Sequence, residues 1–559
     1  MTTPSEPVRD HLKAAIDHQQ AGRLADAERL YRQILGQIPR HPDALHFLGL
    51  LAHQSGHHAA AVDLIGQALE VIPQHAPCHL HRGLALQSLG RLDEALASYQ
   101  QALALDPELP EAHNNAGFVL LELGNADQAL QCLERALALR PAFAEALNNR
   151  GMALEVLGRP GDALADLESA LQLRPDYPEA HLNRGNTLLA TGRLDEALGS
   201  YSRALELRPG HADTLNNRGQ ALEALGRVDD AIADYRRAHA LRPGFAAAHW
   251  NEAIALLRQG DYAAGWRLYE WRRQALGPRR LVREFAEPLW LGETAIAGRT
   301  LLVHHEQGLG DTLQMLRYVP LLADQSARVI VEVPPALTAL AATLPGAPLV
   351  VEEGAPLPVF DLQCPMMSLP LACATTLATV PAAVPYLAAP ESTRTAWRDR
   401  LDSKQGDAQR RRIGLAWSGS VAHRNDRQRS IALATLRPLL EVDAEWHALH
   451  REYRPEDVPV LAAEPRLRDW SGNLRTLADT AGLIEHLDLV ITVDTAVAHL
   501  AGALGKPVWL LLPRVADYRW LEERPDSPWY PTMRLFRQPA AGDWASVLRA
   551  VATALGEQR

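Results

Sequence analysis

Residues 300–322 read TLLVHHEQGLGDTLQMLRYVPLL. Leu301, Leu302 and Val303 make a short apolar run of the kind a buried parallel strand needs. Gly308 and Gly310 break the run, and both permit backbone conformations that other residues resist. Asp311 follows, and Leu313, Leu316, Val319 and Leu321 open a helical stripe. The stretch therefore predicts strand, glycine loop and helix, with the loop at the carboxyl end of the strand, where open α/β sheets bind ligands. A helix start there supplies free backbone N–H groups and a positive dipole end. Two roles are open for Asp311: an N-cap, or a carboxylate that works on a bound molecule.

Downstream, short β-rich runs alternate with helical stripes, the pattern of parallel sheets. Strands are expected at 301–303, 328–333, 349–351 and 360–362. A second set is expected at 413–417, 446–449, 489–493, 508–512 and 533–536, before a closing helix over 544–555. The polar stretch between the sets includes SKQGDAQRRR and predicts a boundary. This divides the second half into a first lobe over 298–390, a linker over 391–411 and a second lobe over 412–559.

Upstream, the sequence repeats. Glycines fall at 22, 56, 90, 124, 158, 192, 226 and 260, and prolines at 39, 73, 107, 141, 175, 209 and 243, always 34 residues apart. Ala27, Ala61, Ala95, Ala129, Ala163, Ala197 and Ala231 keep the same step. A 34-residue period with small residues at fixed places resembles the tetratricopeptide repeat, a helix–turn–helix unit that stacks into a superhelix with a concave groove. About eight units cover residues 8–275, and 276–297 form a connector. Such arrays bind peptides or proteins. The last unit carries Gly265 where alanine sat before and three bulky aromatics, Trp266, Tyr269 and Trp271, as expected of a terminal repeat that docks on the next domain.

Asn115, Asn149, Asn183, Asn217 and Asn251 share the 34-residue step. An amide has two donors and an acceptor, so such a line can grip an extended peptide or can bond between neighbouring repeats. The series resembles the asparagine ladder in the groove of protein O-GlcNAc transferases, which puts peptide contact slightly ahead.

The chain has 559 residues, more than one core can serve, and a formal charge of −11, which argues against a general nucleic-acid binder. Cys78, Cys132, Cys364 and Cys373 show no CxxC spacing, so cysteine spacing suggests neither a disulfide framework nor a metal site. The first residues, MTTPSEPVRDHLK, lack the apolar core of a signal peptide, and no apolar run reaches the length of a membrane span, so a cytoplasmic location is expected.

Two further motifs come directly after predicted strands. WSGSVAHRNDRQRS, residues 417–430, offers Ser418 in a small donor-rich turn and Arg424 and Arg429 as cationic forks suited to a diphosphate, or simply a solvated basic loop. DLVITVDTAVAHLAGALGKP, residues 488–507, carries Asp494, then Thr495 at a helix N-terminus, then His499 one turn deeper, as a packed histidine or a ligand contact. Together with the GLGD loop these motifs resemble the heptosyltransferase-like glycosyltransferases, over roughly residues 298–559. The resemblance implies a GT-B fold of two Rossmann-like lobes behind the α-solenoid. It also implies inverting, metal-independent transfer of a sugar from a nucleotide diphosphate, with no further cofactor. Asp311 would be the general base. Gly308, Gly310, Ser418, Arg424, Arg429, Asp494, Thr495 and His499 would hold the donor. The layout of repeats before a transferase is similar to protein O-GlcNAc transferases, so the expected acceptor is a protein in the repeat groove. The other readings are a non-catalytic scaffold with a degenerate cleft and a transferase acting on a saccharide.

Overall fold

The computed structural model describes residues 6–277, 283–325, 327–402, 410–421 and 425–557. The chain forms two compact units, 1–225 and 226–559.

The first unit is helical from Glu6–Gln20 to Ala212–Ala224. Helices pair within each 34-residue step, as in Pro42–Gln54 with His58–Val71. The periodic residues show why. The glycines between paired helices sit at φ between 71° and 88°, the left-handed region that ends a helix cheaply only for glycine. The periodic alanines, from Ala27 to Ala197, are fully buried where the paired helices touch. A second periodic glycine lets the partner helix come closer still: a Cβ on Gly117 would lie 2.6 Å from Leu133 Cγ. Each pair buries its remaining apolar face on the next pair, so Tyr99 of one repeat shares a core with Ala61 and Val119 of its neighbours.

The second unit begins with the helices Val228–Leu241, Ala246–Gln259 and Tyr262–Tyr269 and continues into two parallel sheets. The first sheet holds β1 (Thr300–His304), β2 (Arg328–Val333), β3 (Leu349–Glu352) and β4 (Leu362–Pro365) in the order β3-β2-β1-β4. Leu301 pairs with Val329 on one side and Leu362 on the other. The second sheet holds β5 (Arg412–Ala416), β6 (Glu445–Ala448), β7 (Leu467–Arg468), β8 (Leu489–Val493), β9 (Val508–Leu512) and β10 (Met533–Arg537) in the order β10-β9-β8-β5-β6-β7. In both sheets the first strand lies inside, between the second and a later one, which is the doubly wound order with its topological switch point beside β1 and β5. The second sheet is buried on both faces. Along β8, Leu489, Ile491 and Val493 enter one core while Val490 enters another, and β9 divides in the same way. That alternation within an unbroken apolar run is what a two-sided parallel sheet requires.

The aromatic terminal repeat packs against the sheet region. Trp266 meets Tyr518 and Trp529 edge-on, and Trp529 Nε1 donates to Tyr262 Oη at 2.9 Å. Arg272, fully buried, donates to Glu306 and Ser368 and pairs with Glu270. In the connector, Trp290 N donates to Gln363 O at 2.8 Å, so this stretch pairs beside β4. Within the stretch expected as a linker, Glu391–Asp402 form a helix whose Trp397 is buried edge-on to Trp470. The expected strand at 360–362 begins at Leu362, and the two-residue β7 was not foreseen.

Candidate functional site

The loop after β1 leads into the helix Leu309–Met315 with Gly308 at its N-cap. Asp311 turns back so that its Oδ2 accepts from Gly308 N at 2.8 Å, and its Oδ1 pairs with the Arg519 guanidinium. Asp311 is thus not the N-cap itself: it stands at the third helical position, bonds back to the N-cap residue and carries a cation on its other oxygen. Gly310 packs directly on the helix Ala496–Ala503: a Cβ at Gly310 would lie 2.9 Å from His499 Cδ2. Only glycine leaves room there for the His499 ring.

His499 is buried, its Nδ1 lies 2.9 Å from Tyr530 Oη and its ring stacks on Trp520. Burial, and then the positive charges of Arg519, Arg317 and Arg429, hold the imidazole well below its ordinary value. It is therefore neutral, and its 3.9 Å separation from Asp494 Oδ1 is not an ion pair. Asp494 shifts the other way. Burial first and Asp517 second push its carboxyl up to about 6, against the pull of Arg519 and Arg429. Thr495 occupies the N-cap of the helix, but its side chain accepts no hydrogen bond from a helix N–H; its Oγ1 lies 3.4 Å from Thr492 Oγ1 instead. Thr495 thus stands at the helix N-terminus expected for it, without a side-chain capping bond.

The third motif reaches the same place. Arg429 Nη1 donates to the Asp494 carbonyl at 2.8 Å, and a Cβ at Gly419 would lie 2.5 Å from Arg429 Nη2. Arg429 Nε is buried and has no hydrogen-bond partner among the described residues. Ser418 is half-buried in the turn that precedes Gly419. Arg424 lies outside the described residues. Loops following β1, β5 and β8 therefore meet at one spot where a neutral histidine, a raised carboxyl and two arginines adjoin. Such a place can hold an anion against arginine N–H groups and offer a carboxylate beside it.

Arg519, Asp517 and Arg454 of this spot were missed from sequence. Arg519 binds Asp311, and its Nη1 donates to Asp517 Oδ1 at 2.7 Å. Burial and the charges of Asp517 and Asp311 act on it in opposite directions, and it stays firmly protonated. Arg454 Nη2 bonds Asp426 Oδ2 at 2.5 Å and Ser430 Oγ at 3.0 Å, bracing the basic turn. For the first two the signal was present: ADYRWLEER, residues 516–524, follows the carboxyl end of β9, where parallel sheets carry their sites. The turn ends at Leu521 with φ 50°, a conformation unfavourable for leucine, and Arg537 Nη2 holds that carbonyl at 2.7 Å.

The asparagines of the repeats bond to one another. Asn149 Nδ2 donates to Asn114 Oδ1 and Asn183 Nδ2 to Asn148 Oδ1, both at 2.9 Å across adjacent repeats. Asn114 and Asn148 in turn donate to Asn115 and Asn149. Asn217 Nδ2 donates to Asn186 Oδ1 at 3.0 Å. Asn149 is 8% exposed, while Asn115, Asn183, Asn217 and Asn251 are half-buried. The inter-repeat role left open in the sequence is thus filled for Asn149 and Asn183 by amides one residue before the periodic position of the preceding repeat, and for Asn217 by Asn186, three residues after it.

Among the described residues no helix is long and apolar enough to cross a membrane. Family models for the tetratricopeptide repeat match residues 83–124, 116–178, 153–212, 212–245 and 246–271. The model for anaphase-promoting complex, cyclosome, subunit 3 matches residues 20–102. The model for glycosyltransferase family 9 (heptosyltransferase) matches residues 471–511, which include Asp494, Thr495 and His499. Protein FlbA of Caulobacter vibrioides is 39% identical over 79 residues, and the chain spans 13% of that relative's length. A tetratricopeptide repeat protein from Parabacteroides merdae is 17% identical with a TM-score of 0.38, covering 44% of this chain and 98% of its own. YrrB, a TPR protein with an unusual peptide-binding site, is 29% identical with a TM-score of 0.27, covering 33% of this chain and 95% of its own. The array upstream of the sheets is made of tetratricopeptide repeats, and a short segment of the second sheet region is similar to part of glycosyltransferase family 9.

Proposed function

We propose that this chain is a glycosyltransferase that moves a sugar from a nucleoside-diphosphate donor to an acceptor hydroxyl, with the repeats recruiting a protein that carries the acceptor. The observation that carries this reading is the meeting of Gly310 with His499 and of Arg429 with the Asp494 carbonyl. Loops from two doubly wound sheets converge there, as they would in a GT-B fold whose lobes share a donor cleft. The match of residues 471–511 to glycosyltransferase family 9 supports the same reading.

In this mechanism Arg429 and Arg519 face the diphosphate, with Ser418 beside it. The start of the helix Ala496–Ala503, with Asp494, Thr495 and His499, holds the nucleotide. The acceptor oxygen attacks the anomeric carbon, Asp311 takes its proton, and the bond to the diphosphate breaks with the electron pair leaving on phosphate oxygen. Arginines stabilise that growing charge in the transition state. Arg519 has a double part: as donor arrives it exchanges Asp311 for phosphate, which frees the carboxylate to act as base.

The test is donor turnover. Wild-type protein incubated with a panel of nucleotide sugars is expected to release nucleoside diphosphate from one of them, slowly to water and faster with a protein acceptor. Asp311→Asn keeps a side-chain oxygen that can accept from Gly308 N, and is expected to bind donor normally while transfer falls about 10²–10⁴-fold. Equal transfer by the two proteins would remove Asp311 from the chemistry, and no release from any donor would overturn the reading.

A further inference from the structure

The second and third repeats hold a cluster of histidines that the transferase reading does not use. His46, on Pro42–Gln54, and His75 and Cys78, at the start of Ala76–Ser88, bring one ring nitrogen each and the thiol sulfur within 4.8 Å of one another. His75 Nδ1 lies 3.1 Å from Cys78 Sγ. His81 Nδ1 lies 2.7 Å from His46 Nε2 and fixes that ring. His46 and Cys78 are buried, and His75 and His81 half-buried.

The array's own period shows that these residues are exceptions. Where Cys78 stands, the repeats to either side carry Ala44, Ala112, Ala146 and Ala180. Where His46 stands, later repeats carry Asn114, Asn148 and Asn216, and where His81 stands they carry Asn115, Asn149 and Asn183. His75 alone has periodic counterparts, His41 and His211, which cap their helices as it does. Three departures from an otherwise regular repeat thus converge on one point from two neighbouring repeats. Because the ligands come from different repeats, no CxxC-type spacing announces them.

We propose that His46, His75 and Cys78 bind one zinc ion, with His81 as the residue that positions His46. Two imidazoles and a thiolate are a donor set that zinc prefers. Zn–N and Zn–S bonds of about 2.0–2.3 Å put tetrahedral ligand atoms about 3.5 Å apart, within the spread of this cluster. Bonding of His46 through its second nitrogen to His81 is the outer-shell arrangement that orients metal-bound histidines. Binding displaces the Cys78 proton to solvent and leaves a zinc–sulfur bond, so the ion links two adjacent repeats.

The test uses the full untagged chain, stripped with chelator, and cobalt(II) as a spectroscopic stand-in for zinc. The expected result is one cobalt per chain with a thiolate-to-metal charge-transfer band in the near ultraviolet, bleached by zinc, and a higher Tm with zinc. Cys78→Ala and His46→Asn install residues that sibling repeats already use, so both variants are expected to fold, as circular dichroism would verify. Both should lose the band and the zinc-dependent rise in Tm. His81→Asn should weaken cobalt binding without abolishing the band. Absence of the band in wild type, or cobalt binding of equal strength in Cys78→Ala, would overturn the proposal, the latter by assigning the metal to other histidines such as His53 and His58.

Discussion

Burial and the neighbouring Asp517 carboxylate push the Asp494 carboxyl up to about 6, so this group works against stability at neutral pH. The folded state binds its proton more tightly than the unfolded chain, where an aspartate titrates at about 3.9. Stability is therefore lost as pH rises from about 4 through about 6, and the loss is complete above that window. Asp494→Asn is expected to remove this slope and to raise stability at pH 7 by on the order of 2 kcal/mol, read as a denaturant midpoint at pH 4 and at pH 7. An unchanged slope would assign the pH dependence elsewhere. A group kept at such cost is the kind found at working sites. Arg519 makes the complementary case. Its removal strands Asp311 and Asp517, and Arg519→Ala is expected to cost about 1.5–3 kcal/mol in a urea melt. A melt unchanged from wild type would mean the two carboxylates find other partners.

Elements show why some parts were legible and others not. Apolar runs, broken only by Glu332 within β2 and Thr492 within β8, marked β2, β8 and β9 to the residue, because nearly every position of those strands is buried. Glycine at 34-residue intervals marked the helix pairs, because each sits in the left-handed region. The helix Glu391–Asp402 was hidden by its polarity: only Trp397 and Leu401 are buried. The partners of Arg519 were hidden, because Asp311 and Gln314 are over 200 residues away in sequence and nothing local specifies them. Close approach of elements was also invisible, and it is testable. Gly310→Ala places a methyl on His499, which cannot retreat because it is stacked on Trp520 and bonded to Tyr530. A loss of about 1–3 kcal/mol is expected by thermal melt, and a neutral result would mean that the two loops are not in contact. In the repeats, Asn149→Ala leaves Asn114 Oδ1 without its donor at a site that is nearly closed to water. A loss of about 1 kcal/mol or more is expected in repeat unfolding followed by circular dichroism. If the melt stays where it was, the amides are free for a peptide after all.

At the scale of the whole molecule, a repeat array and a pair of doubly wound sheets are joined in one chain, with the last repeat helices belonging to the same compact unit as the sheets. Buried Arg272, Trp266 and Tyr262 tie those helices to the sheet region through ion pairs and edge-on aromatic contacts. The central claim is that loops from the two sheets hold a nucleoside diphosphate, and calorimetric titration of the full chain with UDP, GDP, ADP, CDP and dTDP tests it most directly. One of these is expected to bind saturably to wild type and about 10–150-fold more weakly to Arg429→Ala, the loss of one charge-assisted contact worth about 1.5–3 kcal/mol. Heat of binding from none of the five, or equal affinity for wild type and Arg429→Ala, would contradict the account.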